Sequence, residues 1–267
     1  MTTSSGDGAH GTPEPHGPLD DLVRSQQLDV LCGVAASARL TEELALSLLA
    51  RRDLPYQAIV DLSKNGAVMK HRKVVVAVIS HPRTPRHVSL PIARHLYTFE
   101  LMQIVLTPGI AADLKMNIEE SLISRRDSIS GGERLTLAKR GSTRVAAALL
   151  ADPDERVMHA ALENPYMTEA WIVKALLRDN APVPLVHSVC RHPKWSLRRD
   201  VQVALLRNDK TPLARAIAIA EKLPTQVLRD VLYHSRLQAN VKTYLHALLD
   251  RRANRAGAKS ITNSPDR

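Results

Sequence analysis

The sequence predicts an all-α fold, an α-solenoid of short helices arranged as two tandem homologous halves. Sliding the 267-residue chain against itself by 127 positions aligns residues 22–125 with 149–252 without a gap. Twenty-two pairs are identical, among them Thr41/Thr168, Arg51/Arg178, Arg72/Arg199, Pro85/Pro212 and Arg125/Arg252. Apolar residues recur at spacings of three and four, the period of a helix face, although β-branched residues are common. Apolar content is 44% but only eight residues are aromatic, so the core is expected to be Leu, Ala, Val and Ile.

Taken in order, residues 1–19 are rich in Ser, Gly, Pro, Thr and His and read as a disordered tail. The first half, 20–125, opens its helices with recognisable signals. Thr41-Glu42-Glu43 precedes Leu44, Leu46, Leu48 and Leu49, and Pro55 restarts a helix carrying Ala58, Ile59 and Leu62. Lys70 to Ser80 reads as a helix with Val74, Val75, Ala77 and Val78 on its apolar side. Thr84-Pro85 and Thr211-Pro212 place a capping Thr before a Pro at the first helical position. Residues 126–148 read as a connecting helix pair with tight turns, in which Ser130-Gly-Gly-Glu133 is a capping box. The second half, 149–252, begins with Asp152-Pro153-Asp154-Glu155, acids favoured at a helix start. Residues 253–267 read as a second disordered tail. Helices this short cannot bury their apolar faces alone and are expected to stack on neighbours.

The segment from Leu150 through Asp152-Pro153 to Asn164-Pro165-Tyr-Met-Thr168 resembles the leucine-rich repeat variant, an α-helix alternating with a 3₁₀ turn. His81-Pro82-Arg-Thr84-Pro85 and Asn208-Asp209-Lys-Thr211-Pro212 resemble its Asn-Pro corner, and His192-Pro193-Lys-Trp195 its Asp-Pro corner. The other copies depart from that pattern and several helices are longer, so HEAT-like helical repeats describe the chain equally well. The resemblance implies a binding surface and transfers no catalytic residue. An iron–sulfur cluster, known in one such repeat protein, would need four thiolates, and this chain has two cysteines, Cys32 and Cys190.

The formal charge is +10, from 37 Lys+Arg against 27 Asp+Glu. The tails carry −2 (Asp7, Glu14) and +2 (Arg255, Lys259 and Arg267 against Asp266), so the whole excess belongs to residues 20–252. Six residues are candidates for contact with a polyanion or a partner: Arg72, Lys194, Trp195, Arg198, Arg199 and Lys210. In one reading Arg198 and Arg199 hold phosphates while Trp195 meets a base or sugar. In the other, favoured because large apolar side chains are usually buried, Trp195 is wedged into the core and the cations are solvated. Repeated cations such as Arg51/Arg178 and Arg125/Arg252 lie near predicted helix ends, where they favour the dipole.

Catalytic chemistry has no foothold in the sequence. The glycines match no phosphate-binding loop, and no His-Glu-x-x-His, Cys-x-x-Cys or Gly-x-Ser-x-Gly occurs. His187, Cys190 and His192 form the nearest metal-like set, and their spacing reads more simply as packing on one helix face. No catalytic residue, metal, cofactor or small-molecule substrate is therefore expected. No signal peptide or membrane span is apparent, and two cysteines imply no disulfide framework, so a cytoplasmic protein is the simplest expectation. The expected function is a non-catalytic scaffold binding another protein through the solenoid surface. Nucleic-acid binding through a basic stripe is the alternative.

Overall fold

A computed structural model of the chain describes residues 19–235 and 237–261. Among the described residues every regular element is a helix, and no strand occurs. The chain divides into two compact units, residues 1–125 and 126–267. The core of each is aliphatic, as in the cluster of Leu31, Val34, Leu48, Ile59, Leu62 and Val78 in the first unit. Fully burying one such Leu, Ile or Val contributes on the order of 1.5–3 kcal/mol. Helices of two to three turns are marginal alone, so this burial is what holds them.

Leaving aside the four-residue helix Gly66–Met69, helices of the first unit stack on their next-but-one neighbours. Leu28–Ala36 packs on Tyr56–Lys64, and Glu42–Leu49 packs on Arg72–Ser80. Arg72–Ser80 in turn meets Thr98–Leu106, and Arg86–Ala93 meets Ala112–Ser124. The second unit is built likewise. One row is Gly131–Arg140, Glu155–Leu162 and Val183–Arg191; the other is Thr143–Ala148, Glu169–Leu176, Arg199–Arg207 and Thr225–Tyr233. Four helix pairs share their bounds after a shift of 127: Glu42–Leu49 with Glu169–Leu176, Tyr56–Lys64 with Val183–Arg191, Arg72–Ser80 with Arg199–Arg207, and Thr98–Leu106 with Thr225–Tyr233.

The corners between helices share one device. A polar residue closes its own turn with one atom and captures the carbonyl of an earlier helix end with another. Asn65 Nδ2 donates to Ala35 O and Ser37 O, both at 2.9 Å, while its Oδ1 accepts from Ala67 N. His81 Nδ1 accepts from Arg83 N, which fixes the proton on Nε2 and lets it donate to Arg51 O at 2.9 Å. In the second unit Asn164 Nδ2 donates to Ala138 O and Gly141 O and its Oδ1 accepts from Tyr166 N. Asn208 donates to Leu176 O at 2.7 Å and accepts from Lys210 N. At the His192 corner the labour is split. His192 Nδ1 accepts from Lys194 N and Trp195 N, and the Trp195 indole N–H donates to Leu162 O at 2.9 Å. These contacts satisfy carbonyls left over at helix C-termini.

Several sequence expectations need correction. Pro85 and Pro212, not Thr84 and Thr211, occupy the cap positions of Arg86–Ala93 and Leu213–Lys222. Each Thr hydroxyl instead donates backwards, Thr84 to Val78 O and Thr211 to Leu205 O, closing the end of the preceding helix. The helix expected from Lys70 begins at Arg72, after a separate short helix Gly66–Met69. The segment 126–148 forms the helices Gly131–Arg140 and Thr143–Ala148, which pack inside the second unit. The C-terminal tail expected from residue 253 overlaps a helix, Ala239–Ile261, while 262–267 and 1–18 lie outside the described residues. Leu19 already belongs to the helix Leu19–Leu22.

Gly141 ends the helix Gly131–Arg140 by donating its N–H to Leu137 O at 2.8 Å. A Cβ there would collide with that same carbonyl oxygen. Gly141→Ala is expected to destabilise the protein by about 1–3 kcal/mol, measurable by urea denaturation, because backbone rather than a flexible side chain must move.

Candidate binding surface

The six residues singled out in the sequence meet different fates. Arg72 is the first residue of its helix, and its guanidinium bonds Glu100, with Nε 2.9 Å from Oε1. It also lies 4.4 Å from the Tyr97 ring centroid. Partial burial pushes the Glu100 carboxyl up, but hydrogen bonds from Arg72 and from Tyr97 N–H outweigh it and hold the group below its usual range. Arg72 is thus already paired. Lys194 places its ammonium 4.0 Å from the Trp195 ring centroid. Trp195 itself is 2% exposed, so its ring is a core element and offers no stacking platform. Lys210 Nζ donates to Ala181 O at 2.6 Å. Arg198 and Arg199 are exposed and, among the described residues, their side chains have no partner. Lys194, Trp195, Arg198 and Arg199 share one corner of the second unit, Lys210 stands at the next corner, and Arg72 belongs to the first unit.

Other cations, noted in the sequence only as helix-end residues or not at all, serve as latches on main-chain carbonyls. Arg51 donates to Val23 O and Ser25 O, at 2.7 and 2.6 Å. Arg125 donates to Leu96 O and Arg94 O, and Arg252 donates to Leu223 O and Glu221 O, the same acceptors after a shift of 127. Arg252 also reaches Ala220 O, Arg83 reaches Asp53 O, and Arg215 reaches Cys190 O. The repetition of Arg125 and Arg252 in the sequence was the available signal. It placed them near helix ends, but not that each reaches the end of a different helix.

His187, Cys190 and His192 do not converge. Cys190 is buried, and burial raises its thiol pKa against the opposing pull of Arg215. Burial, with Asp61 and Asp29, pushes the Cys32 thiol up to about 11, so neither cysteine is a ready thiolate. His192 spends Nδ1 on two backbone N–H groups and sets Nε2 2.9 Å from Glu163 Oε1. Among the described residues no group of three His, Cys, Asp or Glu is placed to hold a metal.

The aromatic side chains mostly stand outside the core. Tyr56, Tyr97, Phe99, Tyr166, Tyr233 and Tyr244 are all exposed. In the second unit a concavity of about 590 Å³ runs between Glu169–Leu176 and Arg199–Arg207. Ala170, Val173, Leu177, Val203 and Ala204 give it an apolar floor, with Glu169 and Asp200 at one end and Arg207 at the other. A smaller hollow of about 350 Å³ adjoins it, sharing Leu177 and Arg207 and adding Arg178 and His234. Among the described residues no helix is long and apolar enough to cross a membrane.

Comparison with known proteins returns no matching family model, no matching curated protein and no matching solved structure.

Proposed function

We propose that this chain is a duplicated α-solenoid of HEAT-like or leucine-rich repeat variant type, a non-catalytic scaffold that binds another protein in the cytoplasm. The observation carrying this reading is where the positive charge goes. Arg83, Arg125, Lys210, Arg215 and Arg252 each donate to main-chain carbonyls. A carbonyl latch needs no acid as its partner, so these cations, Arg83 included although Asp53 stands near it, have a use inside the fold. The basic composition then requires no polyanion ligand. The shared helix bounds and the matched Arg125 and Arg252 acceptors support the duplication, and the next-but-one stacking supports the solenoid. The unpaired cysteines fit a reducing compartment.

The alternative, nucleic-acid binding, rests on Arg198 and Arg199, which stand exposed beside Lys194. Affinity purification of the tagged protein with and without nuclease separates the two. Partners that persist after nuclease digestion support a protein scaffold; partners that all disappear with the nucleic acid overturn it.

A further inference from the structure

We infer that the groove between Glu169–Leu176 and Arg199–Arg207 takes a segment of a partner protein in which aliphatic side chains are followed by carboxylates. This inference rests on the protein-binding reading and adds the chemistry and place of the contact. Three observations carry it. The floor is apolar and open, with Leu177 45% exposed at the junction of the two hollows. At that junction stand two arginines, Arg178 and Arg207, whose side chains have no protein partner among the described residues. Arg207 Nε is out of contact with solvent and has no acceptor. That nitrogen is covered by protein, but Arg207 lines the hollow, and an arriving carboxylate offers charge-assisted bonds to the terminal nitrogens of its guanidinium. Of the acids on the same lining, Asp179 is already engaged within the protein and Asp209 is exposed on its turn.

The acids Glu169 and Asp200 at the opposite end give the groove a polarity. A carboxylate is repelled there and drawn to the arginine end, so the occupant lies in one direction only. The first unit lacks the same combination. At the matching positions Glu43 replaces Ala170, Lys73 replaces Asp200, Ala50 replaces Leu177 and Ser80 replaces Arg207. Arg51, at the position of Arg178, is committed to Val23 O, Ser25 O and Asp53. The chain's own termini do not fit the groove, because residues 1–18 and 262–267 contain no Leu, Ile, Val or Phe.

The test is a selection from a random peptide library on the full-length protein, with the winning peptides measured by fluorescence anisotropy. Peptides pairing aliphatic residues with a following Asp or Glu should dominate. Their affinity should fall at least about tenfold in the Arg178→Gln/Arg207→Gln variant, the loss of two charge-assisted bonds. Neither arginine side chain bonds the rest of the protein among the described residues, so the melting temperature should not fall. Ala170→Glu, an exposed substitution on the groove floor, should abolish binding while leaving the fold intact. Winning peptides without acids, or affinities unchanged in both variants, would sink the groove while leaving a protein-binding scaffold standing. No peptide selected at all would also overturn the groove. The scaffold reading falls by a different result, the loss of every partner on nuclease digestion.

Discussion

Trp195→Ala is expected to cost about 3–5 kcal/mol, the range for truncating a buried aromatic side chain to alanine. The indole is 2% exposed and its N–H is bonded to Leu162 O, so the substitution both opens a cavity and strips a helix-end carbonyl of its donor. The loss should be local to the second unit. Hydrogen exchange should show Glu155–Leu162 and Arg199–Arg207 losing protection, with Glu42–Leu49 in the first unit unchanged. Trp195→Phe keeps most of the volume and should cost only the orphaned carbonyl, about 1–3 kcal/mol. If Trp195→Ala leaves the urea midpoint where it was, the indole is not the wedge it appears from its burial and bonding.

Asn164→Ala should be the second most damaging change, at about 2–4 kcal/mol from buried groups left unpaired. Asn164 is 2% exposed and makes three bonds with one amide, to Ala138 O, Gly141 O and Tyr166 N. No water can readily replace a donor in so closed a site. By contrast the hydroxyl of Ser37, at the same position of the first unit, accepts from Arg39 N and has no other partner among the described residues, so Ser37→Ala should cost well under half as much. Equal losses at the two positions, read from denaturation midpoints, would contradict the corner mechanism.

Helix class was legible because it depends on spacing, which a linear sequence displays. The alignment of 22–125 with 149–252 was visible for the same reason. The corners were visible as His-Pro, Asn-Pro and Thr-Pro motifs, yet their chemistry was not. Whether Thr84 caps forward or bonds backward to Val78 O depends on where the next helix starts, and Pro85 moved that start by one residue. The cations were read least well. Arg72 and Lys210 were set beside Arg198 and Arg199 as surface charges because a sequence shows the charge and hides the acceptor. Their acceptors, Glu100 and Ala181 O, lie 28 and 29 residues away. Aromatic scarcity correctly suggested an aliphatic core. It did not show that the few rings stand mostly at the surface, with Trp195 the buried exception.

The claim at the centre of this account is that the basic excess serves the fold and leaves a protein as the ligand. It is tested most directly by anisotropy titration of labelled duplex DNA, single-stranded DNA and RNA against the full-length protein at low salt. The account predicts no saturable binding at roughly ten micromolar protein and about 50 mM salt, and nothing that a rise in salt removes. Micromolar binding whose log–log salt slope corresponds to several phosphates, abolished by Arg198→Gln/Arg199→Gln, would contradict it.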